Sequence, residues 1–202
     1  MDHEDEMRIR RRRGLEEAEQ KEVAGEVQIP SIYDGAVMIH NVETDFEERQ
    51  VGTLPCYLHM PKSFREINEE EKVVLFARTK PPKHAFGCDD LLLFVSAAVT
   101  NKPLKNDQIR MFLEAGKRPL EAMIPQSKVY KSYIFEKDEK NVGCIEFVSG
   151  GIPSPMYNMM MFVSIEEELV ILNIYTLNEL KKTVFPYIEQ MARSLRIEEK
   201  EE

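Results

Sequence analysis

The chain has 202 residues, of which 43% are hydrophobic and 31% are charged, and its formal net charge is −9. This length suits one domain of about 100–200 residues with a tail, and the apolar content is too high for disorder along the whole chain. The acidic balance disfavours nucleic acid as the main partner, because a phosphate backbone would meet mostly repulsion outside any local basic patch.

The first 26 residues are dominated by Arg, Glu and Gln, with five arginines between positions 8 and 13. Acidic residues lie on both sides of these arginines, and a short isolated helix there would be barely stable in water. We therefore predict a charged flexible or helical arm over residues 1–26, a single α+β domain over 27–197 and an acidic tail over 198–202. No apolar run is long enough for a secretory signal or a bilayer span, so we expect no membrane insertion.

Short apolar or alternating runs recur between turn signals, which is typical of antiparallel strands. They predict strands at residues 36–42, 56–60, 73–77, 91–100, 129–137, 142–149, 156–165 and 169–176. The gaps between the last four are too short for parallel crossovers, so these strands are expected to form an antiparallel meander.

A pair of short helices is predicted between the strands at 91–100 and 129–137. Asn106 and Asp107 are good N-capping residues for a helix over 108–115. Gly116 is expected to end that helix, and Pro119 to begin a second one that continues to Met123.

The chain end carries apolar residues at helical spacing between positions 180 and 195. Thr176 and Glu179 resemble a capping box at the start of this helix, and Pro186 predicts a kink or a new helix start near Thr183. An amphipathic final helix must lie across a sheet face to bury its apolar stripe.

Candidate catalytic and metal sites are few. The best group is His84, Cys88 and Asp90, which we place in and just after an exposed loop over residues 80–87. These residue types can bind a metal ion, but one His and one Cys without a second pair at matching spacing make an incomplete ligand set. We therefore predict no catalytic residue, no metal and no cofactor, and a metal-dependent enzyme at His84, Cys88 and Asp90 is the least favoured alternative.

The three cysteines lie far apart without a CxxC pair, and their odd number argues against a closed disulfide framework. A reducing compartment is the simplest interpretation. We therefore expect a cytoplasmic protein.

One predicted strand, over residues 156–165, is rich in methionine and aromatic residues on both of its faces. Methionine is flexible and polarizable, which suits surfaces that accept varied apolar partners. One face should be core beneath the final helix, and the other is either covered by another layer or a binding surface. Tyr157, Met159 and Met161 are the candidate contacts with a partner.

Several of these patterns together resemble the PsbP-like superfamily of α/β proteins, which includes Ran-binding Mog proteins and bacterial effector-associated chaperones. The sequence Tyr-Leu-His-Met-Pro at 57–61 followed by Lys-Ser-Phe is similar to the opening strand of that superfamily, and residues 188–197 are similar to its closing helix. The long strand at 91–100, the helical pair and the meander also match, so the resemblance covers about residues 54–197. No functional residue is carried over.

The resemblance implies a non-enzymatic binder, and its chaperone branch implies that an apolar segment of a client is held on a sheet face. Together with the methionine-rich strand, this favours a chaperone-like cytoplasmic module that binds a protein or peptide partner. An immunity or inhibitor protein is the alternative, because an acidic surface can attract a basic toxin by electrostatic steering and then block it.

Overall fold

The structure is a computed structural model that describes residues 29–76, 80–124, 126–150 and 154–198, without the side chains at 117, 118, 121 and 123. The predicted arm over 1–26 and the tail residues 199–202 lie outside the described residues. From Ser31 onward the described residues belong to one compact unit.

Two small antiparallel pairs come first in the described chain. Strand β1 (Val37–Ile39) pairs with β2 (Val42–Thr44), and β3 (Phe46–Gln50) pairs with β4 (Cys56–Pro61). The single strand predicted at 36–42 is therefore wrong. His40 and Asn41 adopt φ angles of 50° and 64°, which turn the chain back on itself between β1 and β2.

Seven antiparallel strands form the main sheet. In chain order they are β5 (Arg65–Glu66), β6 (His84–Cys88), β7 (Leu93–Pro103), β8 (Lys128–Lys137), β9 (Lys140–Ser149), β10 (Met156–Ile165) and β11 (Glu168–Leu177). Across the sheet the order is β5-β6-β7-β11-β10-β9-β8. The predicted meander is confirmed as strands β8 to β11, which pair in sequence.

Two-residue turns join the strands at both ends of this meander. The φ angles are 49° and 60° at Asp138 and Glu139, and 51° and 59° at Glu166 and Glu167. Positive φ at both central residues is the mark of the type I′ hairpin turn, whose twist matches that of the flanking strands. The turns thus hold β8 against β9 and β10 against β11 in a defined register.

One face of the main sheet, here called the front face, packs against the terminal helix. Helix α3 (Lys181–Arg193, the third in the described chain) buries Val184, Ile188 and Met191 against front-face side chains such as Met159 and Leu172. Strand β12 (Arg196–Ile197) follows the helix and joins β4 and β3 in a three-stranded sheet. The α+β architecture with a docked final helix is confirmed.

The opposite face, here called the back face, carries two helices. Helix α1 (Glu69–Leu75) lies near the β5 edge, and α2 (Ile109–Met123) covers β8, β9 and β10. The side chains of Ile109 and Leu113 on α2 pack against Ile145, Phe147 and Phe162 of the sheet. Both faces of the sheet therefore contribute to buried cores.

The strand predicted at residues 73–77 is wrong, because residues 73–75 belong to helix α1 and residue 77 lies outside the described residues. Asn68 and Glu71 begin this helix with a capping box. Asn68 Oδ1 accepts a hydrogen bond from Glu71 N at 2.9 Å, and Glu71 Oε2 accepts one from Asn68 N at 3.1 Å. Such caps stabilise a helix start by about 1 kcal/mol, which outweighs the weak strand preference of two valines.

The predicted helical pair is one continuous helix, α2, with Pro119 inside it. Gly116 does not end it, and a Cβ added at Gly116 would meet no atom within 4 Å, so this position faces open space.

The predicted start of the final helix is also wrong. Thr176 does not cap it, because Thr176 Oγ1 donates to Leu92 O at 2.8 Å. A short 3-10 turn, Asn178–Leu180, leads into α3, which continues through Pro186 without a new start near Thr183.

Candidate functional site

The three residues expected to contact a partner lie in the protein core. Tyr157, Met159 and Met161 point to the front face beneath α3, and each side chain is 0% exposed. Tyr157 Oη donates to the buried carboxylate of Glu146 at 3.0 Å. In this conformation these side chains therefore offer no exposed atoms to a partner.

The back face of the same strand is covered as well. Phe162 contacts Phe112 of α2 edge to face, with ring centroids 5.3 Å apart, and Met156 packs with the cluster near α1. Between the two helices the face is polar, since Asn173 Nδ2 donates to Asn158 Oδ1 at 3.0 Å. Of the two alternatives for the second face of this strand, the described structure shows coverage by another layer and no open apolar face.

The predicted loop over 80–87 is wrong at its second half, because His84 begins strand β6 and is only 7% exposed. Its Nε2 lies 3.1 Å from Thr53 Oγ1 and accepts a hydrogen bond from Thr53 N at 3.3 Å. The ring lies directly against the turn at Gly52, where φ is 63° and a Cβ would overlap the imidazole. His84 thus holds the β3–β4 turn against β6.

His84, Cys88 and Asp90 are not brought together. His84 and Cys88 lie at opposite ends of β6, about 13 Å apart at a strand rise of 3.3 Å per residue, and Asp90 is exposed beyond the strand. Among the described residues, no three His, Cys, Asp or Glu side chains form a group that could hold a metal ion.

Helix α1 has an unusual distribution of side chains. Val73, Val74 and Leu75 are 63%, 76% and 49% exposed, whereas Lys72 is 2% exposed. The Lys72 ammonium donates to Lys83 O at 2.9 Å and to Glu69 Oε1 at 2.8 Å. The buried lysine fixes which side of the helix faces the sheet, so three consecutive apolar side chains, here called the α1 apolar surface, face outward.

A groove of about 260 Å³ adjoins the α1 apolar surface. The ring of Phe94 lies across Gly87 on the neighbouring strand, where any Cβ would overlap it. The same ring stacks on Tyr175, with centroids 5.4 Å apart. The residues that line the groove are Arg65, Ile67, Glu71, Val74, Leu75, Gly87, Asp89 and Phe94.

The groove rim is predominantly acidic. The Arg65 guanidinium donates to both carboxylate oxygens of Glu71 at 2.7 Å and lies 3.7 Å from Asp89. The hydrogen bonds from Arg65 hold the pKa of Glu71 below its ordinary value. One arginine is thus shared by two carboxylates, and the neighbouring Glu70 and Asp90 are also exposed.

Sequence reasoning missed this site because it assigned the valines to a strand. The signal that could have found it is the capping-box pattern at Asn68 and Glu71, which places Lys72 through Leu75 on a helix. The burial of Lys72 depends on the carbonyl of Lys83, and no local pattern predicts that contact.

Comparisons with known proteins give a fold but no family. No protein-family model and no curated protein matches the chain. The solution structure of cyanobacterial PsbP (CyanoP) from Synechocystis sp. PCC 6803 is similar with a TM-score of 0.51 and 10% identity, over 86% of this chain and 96% of that one. LpqN of Mycobacterium tuberculosis, described as involved in cell envelope biogenesis, has a TM-score of 0.49 and 10% identity, over 80% and 95% of the two chains.

The described helices are also short. The longest has 15 residues, and none of the described helices combines the length and hydropathy needed to cross a bilayer.

The similarity to CyanoP agrees with the resemblance seen in the sequence, and the chain therefore shares the PsbP-like α+β fold.

Proposed function

We propose that this chain is a non-enzymatic protein-binding module whose contact site is the α1 apolar surface with its adjoining groove. The occupant is a segment of a partner protein that carries apolar side chains next to a lysine or arginine. The observation that carries the proposal is the outward orientation of Val73, Val74 and Leu75.

Exposure of these three residues is more than ordinary surface variation. Single exposed apolar side chains are common on proteins, whereas contiguous apolar groups rimmed by polar residues mark interaction sites. Burying Val74 and Leu75 against a partner would remove their apolar area from water at about 25 cal/mol per Å². The ring of Phe94, which stacks on Tyr175, supplies a rigid floor for such a contact.

The size of the groove favours a side chain over a small molecule. Sites for small molecules and cofactors usually enclose about 300–1,000 Å³, and the groove holds about 260 Å³ and is open to solvent along α1. A protruding apolar side chain of a partner, with its neighbours resting on Val73 and Val74, matches this shape.

The charge of the rim selects the flanking residue of the partner. The side chain of Asp89 is 82% exposed, and its nearest cation, Arg65, already makes two hydrogen bonds to Glu71. A lysine or arginine beside the apolar side chain would complement Asp89 and Glu70, and like charge would disfavour acidic partners.

The PsbP-like resemblance implied a chaperone that holds its client on a sheet face. A role as a chaperone is compatible with the proposed site, but the client would then contact α1 and its groove. The front and back faces of the sheet carry helices, so the partner segment would rest on a helix and its groove. A protein partner and a cytoplasmic location remain part of the proposal.

The test is selection from a displayed library of short random peptides, followed by chemical-shift mapping of an enriched peptide on the labelled protein. We expect enriched sequences to combine apolar residues with lysine or arginine, and shifts to cluster at Val74, Leu75 and Phe94. Val74→Glu should abolish binding, and Met111→Glu, at a residue 68% exposed on α2, is the matched control. Binding that survives Val74→Glu, or selected peptides rich in acidic residues, would refute the proposal.

A further inference from the structure

The second outer strand of the main sheet, β8, lies at the edge opposite β5. It has ten residues, all of them at least partly exposed, and it pairs with β9. Within the described part of the chain, no strand pairs with its outer side. An outer strand of this length presents backbone donors and acceptors that a further strand can use.

Two lysines of this edge lie next to aromatic rings. Lys131 Nζ lies 4.7 Å from the ring centre of Tyr133, and Lys128 Nζ lies 5.8 Å from that of Tyr130. A third lysine, Lys181 on α3, lies inward of the edge, because its Nζ is 4.4 Å from the ring centre of the buried Tyr157 and 5.1 Å from that of Tyr130. The rings hold the ammonium groups through cation–π contacts, and no described carboxylate lies within 4 Å of these three nitrogens.

The register places these charges on one side of the strand. Lys128 lies opposite Val148 and, beyond a register irregularity between Val129 and Lys131, Lys131 lies opposite Glu146. Val148 packs with the front-face core and Glu146 accepts a hydrogen bond from front-face Tyr157, so both lysines are on the front face. On the back face, Ile134 packs with the cluster beneath α2. A strand added outside β8 would therefore place its front-face side chains beside the lysines. Its back-face side chains would lie beside the apolar Ile134.

We propose that β8 receives an acidic, extended segment of a partner protein as an eighth strand, with glutamate or aspartate at alternate positions facing Lys128 and Lys131. Charge complementarity carries this assignment, because the edge is locally basic on a chain of net charge −9. A second copy of the chain fits poorly, since pairing two β8 strands would bring the lysines of both copies together. The site is independent of the α1 apolar surface.

The experiment uses the full chain and a fluorescein-labelled peptide that alternates valine and glutamate over the length of β8. We expect binding that weakens as salt is added, together with slower hydrogen exchange at the β8 amides that face outward. Protection of these amides distinguishes strand addition from non-specific electrostatic binding, because only an added strand forms hydrogen bonds with them. A peptide of the same sequence with alternate amides N-methylated should not bind, because it cannot donate to the edge.

Matched variants locate the site. Replacing Lys128 and Lys131 with alanine removes two exposed ion pairs and should weaken binding roughly three- to twentyfold. Replacing Lys102 and Lys105, two exposed lysines outside β8, should leave binding unchanged.

Three results would overturn the proposal. The first is equal binding of a peptide that alternates valine and lysine. The second is peptide binding without protection in β8. The third is binding of inorganic polyphosphate or anionic lipid vesicles at least as tight as that of the acidic peptide, which would assign the lysines to a general anion site.

Discussion

Phe94 lies across Gly87 on the neighbouring strand, and the two residues face each other in the register of β6 and β7. The close approach is possible because glycine carries no Cβ. We predict that Gly87→Ala displaces the Phe94 ring and disturbs the groove floor, with a loss of about 1–3 kcal/mol in the free energy of unfolding. Urea denaturation measures it, and Gly116→Ala, at an unobstructed helical position, should leave stability equal or higher.

The inward orientation of Lys72 should be measurable. Lys72→Met keeps the apolar stem but removes the hydrogen bonds to Lys83 O and Glu69. We expect the free energy of unfolding to fall by about 1.5–3 kcal/mol, the usual contribution of hydrogen bonds to a charged group. Hydrogen exchange should also accelerate in α1 more than in α2. Lys80→Met at an exposed position is the control, and equal effects from both variants would contradict the role of Lys72.

Truncating a buried side chain of the methionine-rich strand should destabilise the protein as a core substitution does. Met159→Ala removes a side chain that is 0% exposed and should lower stability by about 2–5 kcal/mol. Met111→Ala, at a residue 68% exposed, should change it by less than about 0.5 kcal/mol. Thermal or urea unfolding compares the two, and a mild effect at Met159 would mean that the strand is not packed as described.

Native thiol reactivity should separate the cysteines. Cys56 and Cys144 are 0% exposed, and burial raises the pKa of each thiol to about 12. At pH 8 roughly one in ten thousand of each would be thiolate, which is the reactive form. Cys88 is partly exposed, so a colorimetric disulfide reagent should label about one thiol in the native protein and three in denaturant. Cys88→Ser should abolish native labelling, and rapid labelling of that variant would contradict the assignment.

Alkaline pH should destabilise the fold. Burial raises the pKa of Tyr133, Tyr157 and the two buried thiols, so the unfolded chain ionises at lower pH than the folded one. Stability is therefore complete below about pH 8 and falls as the pH rises toward 12. With an ordinary thiol pKa of 9.0 in the unfolded chain, about 1.4 kcal/mol is lost per buried cysteine by pH 10. Urea titrations between pH 7 and pH 10.5 measure the slope. Replacing Cys56 and Cys144 with alanine should make it shallower, and an unchanged slope would assign the effect to the tyrosines alone.

The elements that were predictable from sequence are those set by local pattern. Strands β8 to β11 are apolar or alternating runs of ten residues each with short connections between them, so both their type and their pairing follow from the chain itself. The terminal helix is equally clear, because Val184, Ile188 and Met191 repeat at helical spacing. Their docking on a sheet follows from the need to bury an apolar stripe.

The elements that escaped prediction depend on distant contacts. Strand β6 contains His84 and Gly87 and lacks a strong strand pattern, and it forms because β7 offers a long partner. The valines of helix α1 predict a strand when they are considered alone. The helix is apparent only from its cap at Asn68 and the buried ammonium of Lys72. The candidate site consists of these elements, so it could not be located from local pattern alone.

The strand order has a spatial consequence. The α1 apolar surface accompanies β5 at one margin of the main sheet, and β8 forms the other. Six spacings of about 4.8 Å separate the two outer strands, which puts them about 29 Å apart. The two proposed partner segments, one basic and one acidic, would then be bound at once without touching, and the sheet between them would raise the effective concentration of one near the other.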